Sequence, residues 1–225
     1  VISVLVPTRK RPELLERSLA SLIATSDVGD LEILLALDPD DEVPSRCVRE
    51  PFDSVWVAPE RYGYARLNEY FNALAARASG DWIMLWNDDA VMLTPGWDAV
   101  IEALPANILV ADLYSEGHSP MLCTFPVIRR EAIEVVGGMS PYTQHCDTYW
   151  QEVGRLTGTI QYLPDVQVRH DRFDMTGCND DDTYREGRIR QSSPSQWESA
   201  PVQNGLARSV RQINEWKATR NVDQG

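Results

Sequence analysis

A chain of 225 residues with 43% hydrophobic and 24% charged residues is long enough for one good core and has the balance of a single globular α/β domain. Its net charge of −13 and pI near 4.6 oppose broad, sequence-independent attraction to nucleic-acid phosphates. No apolar run approaches the roughly 20 residues that cross a bilayer, so no transmembrane segment is expected. Cys47, Cys123, Cys146 and Cys178 are scattered, with no CxxC pair or metal-finger spacing. That usage predicts reduced thiols in a cytoplasmic protein rather than a disulfide framework.

In chain order, Val1 to Val6 reads as a strand that starts at once, without the basic flank of a signal peptide, and Pro7 stops it. Arg11-Pro12-Glu13 opens a helix whose apolar face is Leu14, Leu15, Leu19, Leu22 and Ile23. Leu31 to Leu37 is a buried strand ending in Asp38-Pro39-Asp40-Asp41, and Ser54 to Val57 is a third, short strand. A helix is expected from about Tyr64 to Ala78, with Leu67, Phe71, Leu74 and Ala75 on one side. Gly80 to Ala90 then reads as a strand that ends in acid, Asn87-Asp88-Asp89.

Beyond a helix start at Thr94-Pro95-Gly96-Trp97 the pattern changes. Strands are expected at Ile108 to Leu113 and Met121 to Val127, separated by a turn over Ser115 to Pro120. A short helix from Arg130 to Val136 is stopped by Gly137-Gly138, and a second runs from about Cys146 to Leu156. Two strands follow, Thr159 to Leu163 and Val166 to His170. Asp171 to Pro201 has little periodicity and reads as a mobile flap, and a helix from about Gly205 to Ala218 closes the chain. The rhythm is that of a doubly wound sheet, with residues 1–171 as the main domain and 172–225 as a flap and helix packed on it.

Three of the early strands end in polar clusters, Pro7-Thr8-Arg9, Asp38-Pro39-Asp40-Asp41 and Asn87-Asp88-Asp89. In a parallel sheet those ends share one edge, which is where open α/β folds bind ligands. Two adjacent carboxylates at such an edge suit a divalent cation, although Asn and Asp are also ordinary turn residues. Trp97, Tyr149 and Trp150 are expected in the core at helical spacing, with a platform for an acceptor ring as the weaker reading.

Order and spacing together give these pieces a family likeness. Val4-Leu5-Val6-Pro7-Thr8-Arg9 with Arg11-Pro12, Leu35-Ala36-Leu37-Asp38, Arg66-Leu67-Asn68 and Gly80-Asp81-Trp82-Ile83 into Asn87-Asp88-Asp89 carry its first half. Gly137-Gly138-Met139, Asp147 at a helix start and Val166-Gln167-Val168-Arg169-His170 carry its second. The chain resembles the GT-A glycosyltransferases, in particular the family 2-like members with an inverting mechanism. The resemblance implies a Rossmann-like, mixed but mostly parallel sheet flanked by helices in a single domain.

It also implies roles. Asp38 would accept a hydrogen bond from the nucleotide base, with Pro7, Thr8 and Arg9 lining the same pocket and Arg66 and Asn68 beside the diphosphate. Asn87-Asp88-Asp89 is similar to the family's DxD-type metal motif, with Asn in place of the first acid. Asp89 and His170 would then hold Mn²⁺ or Mg²⁺, and Asn87 and Asp88 would face the nucleotide sugar. Asp147 would be the base that takes the acceptor's proton, its other reading being a helix N-cap. Only the second acid of the family's Glu-Asp pair is present, since Cys146 precedes it.

The donor expected is a nucleotide sugar, a UDP-sugar first, and the acceptor a glycan. A hydroxymethylated DNA base is the second possibility, resting on Arg169, Arg172, Arg185, Arg188, Arg190, Arg208 and Arg211 among many acids. Two other functions remain open: a nucleotide-sugar-binding module without catalysis, fed by Asn87 and Cys146, and a nucleotidyltransferase. The latter lacks its usual Gly-rich loop, because Pro7-Thr8-Arg9-Lys10-Arg11 is basic but contains no glycine.

Overall fold

The computed structural model describes residues 1–27, 29–41, 53–115, 122–171, 182, 185, 186 and 196–222. They form one mixed sheet of eight strands in the order β3-β2-β1-β4-β7-β6-β8-β5. The strands are β1 Ile2–Pro7, β2 Leu31–Leu37, β3 Ser54–Val57, β4 Trp82–Leu85, β5 Ala90–Met92, β6 Val110–Ser115, β7 Pro126–Arg129 and β8 Ile160–His170. The described helices are α1 Pro12–Thr25, α2 Leu67–Ala75, α3 Trp97–Glu102, α4 Arg130–Val136, α5 Cys146–Thr157 and α6 Ala200–Val222.

β1 pairs with β2 and β4, and β2 with β3, all in parallel. β6 and β8 are also parallel, whereas β7 runs antiparallel to β4 and β6, and β5 antiparallel to β8. The parallel strands are covered on both faces, which is why β1 and β4 are continuous apolar runs rather than alternating ones. On one face Leu15, Leu19 and Leu22 of α1 and Trp97 and Ile101 of α3 pack against Val4, Met84 and Trp86. On the other, Phe71 and Leu74 of α2, Ile133 of α4, Trp150 and Val153 of α5 and Ile213 of α6 cover Leu5, Ile83 and Val110.

Two glycines matter to this packing. A Cβ on Gly80 would lie 2.7 Å from both Ser3 Oγ and the Val1 carbonyl oxygen, so only glycine lets the chain entering β4 come this close to β1. Gly137 ends α4 in the left-handed region at φ 86°, and its N–H returns to the carbonyls of Ile133 and Glu134.

The elements depart from the sequence expectation in specific places. The expected helix from Tyr64 begins as a 3-10 turn, Tyr64–Arg66, before α2. The two late strands are one, because Pro164 is accommodated in a bulge of β8, where the consecutive β6 residues Leu113 and Tyr114 pair with Leu163 and Gln167. The strand expected from Met121 starts instead at Pro126, and Met121 itself lies outside the described residues. β5 was not anticipated, and the last helix is longer than expected at both ends. Trp97, Tyr149 and Trp150 are fully buried, so none of them offers an exposed platform. Of the supposed flap only Asp171, Asp182, Arg185, Glu186 and residues 196–201 are described. Most of the Ser115 to Pro120 turn, Cys47, Cys178, His118, Arg172, Arg188 and Arg190 also lie outside the described residues.

Candidate active site

The order β2-β1-β4 brings the three polar strand ends side by side. Pro7 pairs with Ala36 and Leu5 with Leu85, so Thr8, Asp38 and Asn87-Asp88-Asp89 emerge at one edge. Trp86 anchors the last of these. Its ring is fully buried against Phe125, its Nε1 donates to Ser18 Oγ at 2.7 Å, and Ser18 in turn donates to the Asn87 carbonyl at 3.1 Å.

Asp38 is 3% exposed and accepts hydrogen bonds from the Tyr70 hydroxyl. Arg9 Nε lies 3.0 Å from its Oδ2, and Arg61 Nε 3.7 Å away. Arg9 continues to Asp40 at 2.8 Å. Burial and the Asp38 carboxyl push the Tyr70 hydroxyl well above the ordinary phenol range. The result is a buried carboxylate flanked by two guanidinium groups and a tyrosine hydroxyl. Thr8, Lys10, Arg11, Leu37 and Asp41 line an adjoining cavity of about 430 Å³.

Asp88 is clamped on both oxygens: Arg11 Nη1 donates to Oδ1 at 2.9 Å and Thr8 Oγ1 to Oδ2 at 2.8 Å. Burial raises its pKa, the neighbouring Asp89 raises it further, and Arg11 opposes both. Arg11 also lies 3.8 Å from Asp89 Oδ2. On the other side of Asp89, His170 Nε2 is 3.0 Å from Oδ1 and 3.2 Å from Asn87 Nδ2. The short β5 makes this contact, since Ala90 pairs with His170 and the Asp171 N–H donates to the Asp89 carbonyl at 3.0 Å. His170 is 6% exposed, with its ring edge-on to Phe125.

Among the described residues no group of three or more His, Cys, Asp or Glu side chains converges as a ready metal cage. A carboxylate and an imidazole from the protein suit Mn²⁺, with the remaining positions taken by phosphate oxygens and water. The donor set therefore fits an ion that arrives with a diphosphate better than a permanently bound one.

Asp147 lies at the second position of α5, after the N-cap His145, whose side chain makes no capping hydrogen bond. Asp147 Oδ1 instead accepts from the Thr148 N–H at 2.7 Å and from its hydroxyl at 3.3 Å. Burial lifts this carboxyl above the usual range, and the Thr148 bonds and the nearby His145 pull the other way. Its place is in the first turn, where a carboxylate is favoured by the helix dipole, but it is not the N-cap.

Two residues assigned beside the diphosphate have other partners here. Arg66 is exposed, pairs with Glu60 at 2.7 Å and covers the Tyr62 ring at 4.2 Å. Asn68 Nδ2 donates to the Ser140 carbonyl at 3.3 Å, as Asn72 does at 3.0 Å, tying α2 to the turn after α4. Sequence reasoning assigned no role to Arg11, Tyr70, Arg61 or Asp112. For Arg11 and Tyr70 the partners lie 77 and 32 residues away in sequence, beyond any local pattern. Asp112 did carry a signal, an acid inside an otherwise apolar strand.

No protein-family model matches the chain, and no curated protein matches it by sequence. Solved structures do match by fold. TarS of S. aureus superposes with a TM-score of 0.61 at 14% identity, over 75% of this chain and 36% of that one. A mannosyltransferase from Pyrobaculum calidifontis, solved with GDP-Man and Mn²⁺, gives 0.60 at 15% identity over 96% and 71%. Glucosyl-3-phosphoglycerate synthase from Mycobacterium tuberculosis, solved with Mn²⁺, UDP and phosphoglyceric acid, gives 0.57 at 14% identity over 87% and 80%. The chain thus spans about a third of the length of the TarS chain. These likenesses establish the GT-A fold.

Proposed function

We propose that the protein is a metal-dependent, inverting glycosyltransferase that moves a sugar from a nucleotide sugar, a UDP-sugar first, to a hydroxyl of a glycan acceptor. The observation that carries this reading is the Asp89–His170 pair standing at the same sheet edge as the arginine-flanked Asp38, within a GT-A fold. Neighbours of the same fold were solved with a nucleoside diphosphate or nucleotide sugar and Mn²⁺.

In this reading Asp38 accepts the imide N–H of the base, and Pro7, Thr8 and Arg9 close the pocket around the nucleoside. Asn87 and Asp88 face the ribose and sugar, and Asp88 keeps Thr8 and Arg11 in place. Arg66 and Asn68 are assigned to the diphosphate side. Asp89 and His170 would hold Mn²⁺ or Mg²⁺, which neutralises charge on the departing diphosphate. Asp147 takes the proton of the acceptor hydroxyl as its oxygen attacks the anomeric carbon. The new carbon–oxygen bond forms opposite the bond to phosphate, whose electron pair leaves with the nucleoside diphosphate, and configuration inverts.

A hydroxymethylated DNA base gains no support from the described arginines. Arg169 is paired with Asp171, Arg185 with Asp182, and Arg208 and Arg211 are exposed on α6. Among the described residues no helix is long and apolar enough to cross a membrane.

Thermal shift with UDP, GDP, CDP and ADP, each with and without Mn²⁺, tests the donor site. Stabilisation by one diphosphate that largely needs Mn²⁺ is expected. A chain that none of the four stabilises is not a metal-dependent transferase.

A further inference from the structure

The sheet edge that carries Asp89 and His170 is tied to α1 as well as to its own strand partner. β5 stands last in the sheet order and offers β8 only Ala90, Val91 and Met92. A ladder that short has little local stability by itself. Three side chains on adjoining turns of α1 add to it. Ser18 Oγ donates to the Asn87 carbonyl at 3.1 Å on the way into the acidic turn, and Ser21 Oγ accepts the Met92 N–H at 2.9 Å on the way out. Arg17 reaches the partner strand's end, where its Nη2 lies 2.8 Å from Oδ2 of Asp171, the residue after His170. Asp171 Oδ1 also accepts from Arg169 Nε at 2.9 Å, and the Asp171 N–H donates to the Asp89 carbonyl at 3.0 Å. A single residue is therefore bound through its side chain to α1 and through its backbone to Asp89.

We propose that Asp171 is a positioning residue: clasped by Arg17, it fixes the end of β8 so that the His170 imidazole stands ready beside Asp89 for a divalent cation. This rests on the reading of Asp89 and His170 as the metal-holding pair. Their facing atoms, Nε2 and Oδ1, already lie 3.0 Å apart. Groups behind a metal's direct ligands set its affinity by orienting those ligands. Their own worth to the fold can be small. The side chains of Arg17 and Arg169 are 45% and 43% exposed, and ion pairs so open to water add little to global stability. Positioning and a merely structural role therefore separate. The first changes Mn²⁺ affinity at nearly constant stability, whereas the second changes neither or lowers both together.

Mn²⁺ uptake at fixed UDP is read from the loss of the free-ion EPR signal beyond that caused by UDP alone, with urea unfolding measured alongside. Asp171→Ala and Arg17→Met should each raise the Mn²⁺ Kd about tenfold, the lower end for such partners, while the urea midpoint stays at the parent value. Arg17→Lys keeps a cation and should remain within about threefold of the parent. In a His170→Ala background, Asp171→Ala should add less than about a twofold further loss, because its effect passes through the imidazole. The proposal is overturned by an unchanged Kd in Asp171→Ala, by a loss as large without His170 as with it, by Arg17→Lys binding as poorly as Arg17→Met, or by a weaker Kd that comes only with a lowered urea midpoint. A parent protein that takes up no Mn²⁺ beyond UDP's own share is a separate result. It strikes the metal reading of Asp89 and His170, on which the clasp depends.

Discussion

On the parallel side of the sheet Asp38 meets Arg9 and Arg61, Asp88 meets Arg11, and Asp89 meets Arg11 and His170. On the other side Asp112 meets a thiol, and Asp147 meets a threonine and the influence of His145. The same residue type is therefore put to two uses. A cation beside a buried carboxylate favours its charged form, as Arg11 does at Asp88, where burial and the neighbouring Asp89 still raise the pKa to about 6. At Asp112 and Asp147 burial likewise raises the carboxyl pKa, with a thiol at the first and a threonine at the second in place of an arginine hydrogen bond. In the proposed reading the first set of carboxyls faces the nucleotide sugar and Asp147 faces the acceptor hydroxyl.

The largest effect expected from breaking this division is at Asp147. Asp147→Asn should lower transfer by about 10²–10⁴-fold, the usual range for a general base, while the UDP–Mn²⁺ thermal shift stays at the parent value. Transfer equal to the parent would remove Asp147 from the mechanism. Next is the clamp on the donor side. Arg11→Met leaves Asp88 and Asp89 buried and adjacent without their guanidinium, a change that costs about 3–5 kcal/mol when one partner of a buried pair is removed. Urea unfolding should show the loss, and it should be smaller at pH 5 than at pH 8, because a protonated Asp88 needs no cation. An equal loss at both values would mean that Arg11 acts by packing alone.

How much of this could be read from the chain differs between the two regions for a physical reason. β1, β2 and β4 are apolar runs buried on both faces, and each stops at a polar cluster, so element and site residue lie together in sequence. The ends of those strands need only parallel pairing to converge. His170 was singled out by position, but the contact that gives it meaning depends on β5, three residues straight after an acidic turn and too short for any periodicity to register. Arg11 entered the sequence reading only through the Arg11-Pro12 helix opening and a basic run, since its carboxylate partner Asp88 lies 77 residues on, in the turn after β4. Asp112 fell inside the strand expected from Ile108 to Leu113, yet alternation records only that a position is polar. Its nearness to Cys123 is a property of the packed chain. Pro164 misled in the opposite sense, breaking a strand that the bulge keeps whole.

Asp112 also gives the comparison a thermodynamic test that needs no substrate. Burial raises its pKa from an ordinary carboxyl value to about 6. The folded state then holds a proton that the unfolded chain releases near 3.8, so stability falls as pH rises from about 4 to 6 and is level above that. At roughly 1.36 kcal/mol per unit, the loss is on the order of 3 kcal/mol. Asp112→Asn removes it, so the variant should match the parent at pH 4 and exceed it by about 2–3 kcal/mol at pH 7.5 in urea titrations. A pH-independent difference between the two proteins would place a cation beside Asp112 and make its surroundings like those of Asp88.

The smallest expected effect is at Arg66, and it decides how far the cation-rich region extends. Its guanidinium is exposed and already shared between Glu60 and the face of Tyr62. Exposed ion pairs contribute about 0–1 kcal/mol, so Arg66→Ala should leave stability nearly unchanged. Its bearing is on the ligand. If Arg66 leaves Glu60 to meet the diphosphate, as its assignment requires, the UDP–Mn²⁺ thermal shift of the variant falls while that of uridine does not. Equal shifts in parent and variant would confine the nucleotide's cations to Arg9, Arg11 and Arg61, the three that already face buried carboxylates.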